Sequence, residues 1–198
     1  MKVNLRSRML CCENFDDFVL GYSSGYGLPR DLYADDEAVH CRPLGAMLET
    51  SKSLRETLQI LYICRLKKCP PAHPTNGEPL GVVVEFGVES GVDGLAIYFD
   101  GHGSWFESKT NSMLEFAIAA DSEAPYDAIR SAVHRARDKA IPDPVNVPPP
   151  PAPGHMLVSL LSDRGIAFAQ GLSRDLATDN LTGPIVHAAL AMRKKVFA

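Results

Sequence analysis

The sequence is short of the features that announce a function. It has no run of the roughly 18 apolar residues that a membrane-spanning helix needs, so no membrane partner is expected. Its first residues, MKVNLRSRMLCCENFDDF, carry basic side chains but no apolar h-region, and acidic residues follow at once. No secretory signal is therefore expected. There are five cysteines, an odd number, and their positions (Cys11, Cys12, Cys41, Cys64 and Cys69) match no disulfide framework. Reduced thiols in a cytoplasmic protein are the simpler expectation. P-loop, dinucleotide fingerprint, Gly-x-Ser-x-Gly elbow and His-Glu-x-x-His are all missing. The net charge of −4 argues against a general nucleic-acid binder.

What is present is a chain of 198 residues, 45% hydrophobic and 22% charged, enough to bury a core. Residues 1–45 have no sustained period and read mostly as loop, with one short strand near residues 3–10. The Gly- and Tyr-rich stretch VLGYSSGYGLPRDLYADDEAV reads as irregular structure, with a binding loop as the functional alternative. The period then becomes helical. Ser53 and Glu56 form a capping box, Leu54, Leu58 and Leu61 follow on one face, and Arg65, Lys67 and Lys68 complement the last turn. CPPAHPTNGEP stops this helix.

From Leu80 the period is two. Leu80, Val82, Val84, Phe86 and Val88 fall on one face, with Val83, Glu85 and Glu89 on the other. Leu95, Ile97 and Phe99 continue the alternation, then residues 104–108 and 113–119, as an antiparallel meander. Residues 124–140 return to a helix with Ile129, Val133, Ala136 and Ala140 on its buried stripe. IPDPVNVPPPPAPG, residues 141–154, reads as a stiff proline-rich spacer. A second hairpin follows, Leu157–Leu161 and Ile166–Ala169 around SDRG. A last helix buries Ile185, Ala188, Ala189 and Met192. The expected fold is α+β: an antiparallel sheet built from a meander and a second hairpin, with helices packed on one face. We divide the chain into an N-terminal region, 1–78, and a sheet-and-helix unit, 79–198, joined in one compact body.

FDGHGSWF, residues 99–106, looks most like chemistry, because Asp100 and His102 sit two apart beside the single tryptophan, Trp105. Asp-Gly between alternating apolar runs is, however, a strong hairpin signal. His102 is expected at an exposed tip, away from any pocket. Zinc is not expected either. Cys11, Cys12, Cys41, Cys64, Cys69, His40 and His73 share the first 73 residues, but only Cys64-x4-Cys69 approaches knuckle spacing. No cofactor is implied.

The segment GLAIYFDGHGSWFE, followed by a helix, a proline-rich gap, LVSLLSDRGIAFAQG and DNLTGPIVHAAL, is similar to a group of small uncharacterised bacterial proteins. In that group a DG-x-x-x-[YF] hairpin precedes LL-x-x-x-G and GP-[IV]-x-x-A. The resemblance spans about residues 80–198, and its motifs are turns and packing positions. It implies no activity, and no functional residue carries over.

Charge distribution remains. Residues 1–78 carry ten basic and ten acidic side chains, residues 79–124 one and eight, and residues 125–198 nine and six. The acidic middle suggests a docking face on the meander built from Glu85, Glu89, Tyr98, Trp105, Glu107 and Glu115, suited to a protein with a basic surface. The alternative fate of this face is to be covered by the N-terminal third. The expected function is a non-enzymatic, protein-binding one, immunity-like or accessory to a bacterial toxin or defence system. A homo-oligomer is compatible with it. The competing reading is a small hydrolase or transferase using a Cys–His pair from the N-terminal third.

Overall fold

The structure is a computed structural model that describes residues 5–18, 37–69, 76–118, 123–139, 142 and 147–196. Alternating apolar residues form six strands: β1 Pro79–Val88, β2 Gly91–Tyr98, β3 His102–Glu107, β4 Ser112–Ala117, β5 His155–Ser162 and β6 Gly165–Leu172. They make one antiparallel sheet in the order β4-β3-β2-β1-β5-β6. The meander and the second hairpin are both present, joined where β5 pairs with the free side of β1, from Pro79 opposite Ser162 to Phe86 opposite Met156. The Asp-Gly turn is also present. Gly101 has φ 86°, a conformation that a side chain with a Cβ adopts only with strain.

One sheet face is covered by helices from the second half of the chain: α4 Glu123–Arg137, the short α5 Ser173–Thr178 and α6 Thr182–Val196. Val82, Val84, Leu95, Ile97, Trp105, Met156 and Val158 meet Ile129 and Val133 of α4 and Ile185, Val186, Ala189 and Met192 of α6. Of the helical stripes read from the sequence, Ile129, Val133 and Ala136 and then Ile185, Ala188, Ala189 and Met192 are buried, and Ala140 lies outside the described residues. His134 stacks on Phe99 with ring centroids 6.3 Å apart. Arg193 lies 4.5 Å above the Trp105 ring, a cation–π contact that ties the end of α6 to β3.

The opposite face is covered too, by the N-terminal region. It carries α1 Leu5–Met9, α2 Glu37–Thr50 and α3 Leu54–Leu66. The strand expected near residues 3–10 is therefore a helix, and the loop expected through residue 45 becomes helical at Glu37. Pro43 inside α2 disguises it, since proline ordinarily ends a helix. The Gly- and Tyr-rich stretch up to residue 36 lies outside the described residues. The N-cap of the expected capping box forms at α3: Ser53 Oγ accepts from Glu56 N at 3.2 Å, while the Glu56 carboxylate accepts from Lys52 N, one residue before the cap, at 2.8 Å. Met9, Leu10, Cys11, Cys12, Leu44, Leu58, Ile60 and Ile63 pack with Val83, Ala96, Tyr98, Phe106, Leu161 and Ile166 into a second core. Gly94 makes room for it, because a Cβ there would stand 2.5 Å from Met9 Cε.

The fold is α+β as expected, with helices on both faces of the sheet where one was expected, and this decides the state of Glu85. Its side chain is 0% exposed, and Arg6 of α1 bonds both carboxylate oxygens, Nε to Oε1 at 2.6 Å and Nη2 to Oε2 at 3.0 Å. Arg6 Nη2 also donates to the Pro148 carbonyl at 2.9 Å. Burial pushes the Glu85 carboxyl up, and the guanidinium offsets that only in part. The same contact corrects the reading of the proline segment. Pro148 and Pro151 are buried, and Gly154 N donates to Gly87 O at 3.2 Å. Residues 147–154 are packed on the sheet and are not a free spacer.

Reversing the two glutamates one at a time separates a buried from an exposed position. Glu85→Lys leaves Arg6 beside a second buried cation and is expected to cost about 3–5 kcal/mol, the usual loss when a buried ion pair is broken. Glu89→Lys, in the exposed β1–β2 turn, is expected to leave stability nearly unchanged. Urea melts of the two variants check this.

Candidate functional site

The six residues expected to form an acidic docking face do not share a surface. Glu85 and Tyr98 lie beneath the N-terminal helices, and the Tyr98 hydroxyl donates to the Met9 carbonyl at 2.9 Å. Trp105 is on the other face, 6% exposed under Arg193. Glu115 is exposed on β4 but holds Arg55, with Arg8 at 3.5 Å. Burial raises its pKa, but bonding to Arg55 outweighs this and holds the carboxyl below its ordinary value. Glu89 is exposed in its turn, and Glu107 accepts from Thr110 Oγ1 at 2.7 Å. Those two turns are tied by Ser90 Oγ and Ser108 Oγ at 3.2 Å. Two of the four glutamates therefore meet basic groups from their own chain, Glu85 with Arg6 and Glu115 with Arg8 and Arg55. The expectation of a free docking face is corrected.

The hairpin tip is not away from every pocket, as expected, but borders a hollow of about 320 Å³ between α3 and the β3–β4 end of the sheet. Asp100 is the residue that builds this junction. Its Oδ2 accepts from Leu54 N at the start of α3 at 2.8 Å, and Oδ1 accepts from His102 N at 3.2 Å. His102 Nδ1 lies 3.3 Å from the same carboxylate, with the ring 62% exposed. Asp100 thus satisfies one of the orphan amides of a helix N-terminus. Across the hollow, Arg55 and Glu115 engage each other, and Ser53 Oγ is occupied by the cap. The arrangement docks the hairpin onto α3.

The thiols are settled individually. Cys41 in α2 and Cys69 after α3 form a disulfide with Cα atoms 5.2 Å apart, so the expectation of five reduced thiols is corrected. The thiol-based argument for a cytoplasmic protein goes with it, because such bonds persist in oxidising compartments. Cys11 and Cys12 are buried, and that burial pushes each thiol up to about 12. Cys64 is raised by the same cause. A nucleophile needs a thiolate near neutral pH, and these three thiols move away from that condition. The His40 and His73 side chains lie outside the described residues. Among the described residues, no three His, Cys, Asp or Glu side chains come together as a metal site, and no helix is long and apolar enough to cross a membrane.

One surface stands apart. β6, GIAFAQGL, has no charged residue or proline, and it pairs with β5 without a bulge from Gly165 to Leu172. Among the described residues, its other side is the end of the sheet. Phe168 and Leu172, on one face of the strand, are 41% and 38% exposed. On the opposite face, Ala167 and Ala169 line a mostly apolar hollow of about 330 Å³ floored by Val158 and Leu160 and walled by Ala136, Ile185 and, at one side, Lys139. The uncharged run was visible in the sequence. Its place at the sheet edge was not, because that depends on β5 pairing with β1.

No family model, curated protein or solved structure matches this chain. The site must be read from its own chemistry.

Two measurements follow from this geometry. Asp100→Ala removes the amide acceptor at Leu54 and is expected to cost about 1 kcal/mol, while His102→Ala leaves the melting curve nearly unmoved. For the thiols, alkylation of the native protein at neutral pH is expected to be slow at every site. In denaturant without reductant three thiols label, and after reduction five. Because folding raises Cys11 and Cys12 from 9.0 to about 12, the unfolded chain loses these protons first. Their contribution to stability is present below pH 9 and lost as pH rises from there towards 12, which a pH series of urea melts reads.

Proposed function

We propose that the protein acts by association with another polypeptide chain through the outer edge of β6, and not by catalysis. The observation that carries this is the β6 edge: a strand unpaired on one side among the described residues, uncharged and unbulged, with two half-exposed large apolar side chains beside a mostly apolar hollow. Folded proteins ordinarily guard such edges with charge, proline or a bulge, because an open row of amides and carbonyls pairs with any extended chain. An edge left unguarded is suited to strand addition, with backbone hydrogen bonds supplying affinity and alternate side chains selecting the partner. The partner stretch this edge favours is apolar and uncharged, in contrast to the basic surface suggested by composition. An immunity-like or accessory role belongs to the proposal in this form, a chain that works by what it binds. The Cys–His hydrolase reading is weaker, since burial raises three thiols and a bond occupies the other two.

A photo-crosslinking residue in place of Gln170, exposed in the middle of β6, tests the reading in the native host. We expect a discrete adduct from position 170, lost when Phe168→Lys is added to a chain that still melts normally. The same probe at Glu89 should give none. Equal labelling at both positions, or no adduct from 170, overturns the proposal.

A further inference from the structure

We propose that the occupant of the β6 edge is a second copy of this chain, paired β6 to β6 in antiparallel across a two-fold axis. The inference rests on the reading of β6 as the association edge and names the partner.

Charge is the first argument. Residues 165–172 carry none, and the charged residues just beyond the two ends, Asp163 and Arg164 on one side and Arg174 and Asp175 on the other, sum to zero. A strongly basic or acidic partner gains nothing along this strand, whereas an identical neutral strand meets no repulsion. The other sheet edge differs. β4 is six residues long and carries Glu115, which holds Arg55.

Symmetry is the second argument. A two-fold contact is self-complementary, each patch meeting its own copy. For two antiparallel strands in one sheet the axis stands perpendicular to the sheet, so each face continues as the same face in the partner. Ile166, Phe168, Gln170 and Leu172 alternate with Ala167, Ala169 and Gly171, as their pairing with β5 requires. The larger row of one copy is thus laid beside the larger row of the other, as cross-strand pairs that stabilise a sheet. The alanines and Gly171 meet on the side that carries α4 and α6, where small side chains leave those helical layers room. The pairing brings Phe168 and Leu172 of both copies out of water and joins two six-stranded sheets into one.

Sedimentation equilibrium of the full chain tests this with the protein itself as probe. The wild type is expected at twice the 21.5 kDa of one chain. Phe168→Lys and Phe168→Glu, alone, each place like charges near the axis and should weaken self-association on the order of 100-fold, as like-charge contacts across an interface do. An equimolar mixture of the two should regain the double mass. Should Phe168→Lys fail to fold, Gln170→Lys in the same row gives the same readout. A wild type that stays at one chain mass at every concentration overturns the inference, as does a dimer indifferent to these charges. In the first of those cases a Gln170 adduct to a different protein leaves the association edge standing, so the two readings fail separately.

Discussion

The fold turns on a carboxylate placed in the middle of a sheet. Glu85 sits on the central strand, between the Gly94 and Leu157 registers, where no water reaches it. Such a group is tolerable only if its oxygens are bonded, and the partner comes from 79 residues earlier in the chain. The same Nη2 of Arg6 that bonds Glu85 also donates to the Pro148 carbonyl. A single guanidinium thereby holds the N-terminal helix, the central strand and the proline segment in one arrangement. A pair of apolar residues would hold them as strongly, but with far less demand on where each must lie.

This contact also explains which parts of the chain were legible. The capping box at Ser53, the Asp-Gly turn at Gly101 and the apolar stripes of α4 and α6 are local signals, and each is decided within a few residues. The chain before Ser53 has none of that kind. α2 contains Pro43, and α1 is five residues long. Glu85 was read as solvent-facing because it falls on the polar side of a period-two pattern. The contrary signal lay beside it: Val82, Val83 and Val84 run without a polar break, as in strands buried on both sides. Three consecutive valines on the central strand meant two covered faces.

The candidate site was less legible, for a topological reason. No property of GIAFAQGL distinguishes a strand at the rim from one in the interior, because its neutrality suits either. Its position follows from the order of strands, and that order from β5 choosing the free side of β1 over the free side of β4. The disulfide was hidden in a similar way. Cys41 and Cys69 are 28 residues apart, and only the antiparallel packing of α2 against α3 brings their Cα atoms within bonding reach.

The position of β5 has a consequence for the order in which the molecule is made. The meander pairs neighbours in sequence, so its hairpins close early and at little entropic cost. β1 nevertheless remains a rim until residues 155–162 arrive, bringing Leu161, and Ile166, which joins Leu161 in the core beneath the N-terminal helices, comes later still. A nascent chain that has passed the ribosome only as far as α4 carries the long apolar strand β1 open on one side. It is then at its most exposed to mispairing, and the prolines of residues 147–154, which cannot add a regular strand of their own, are made before its proper neighbour β5.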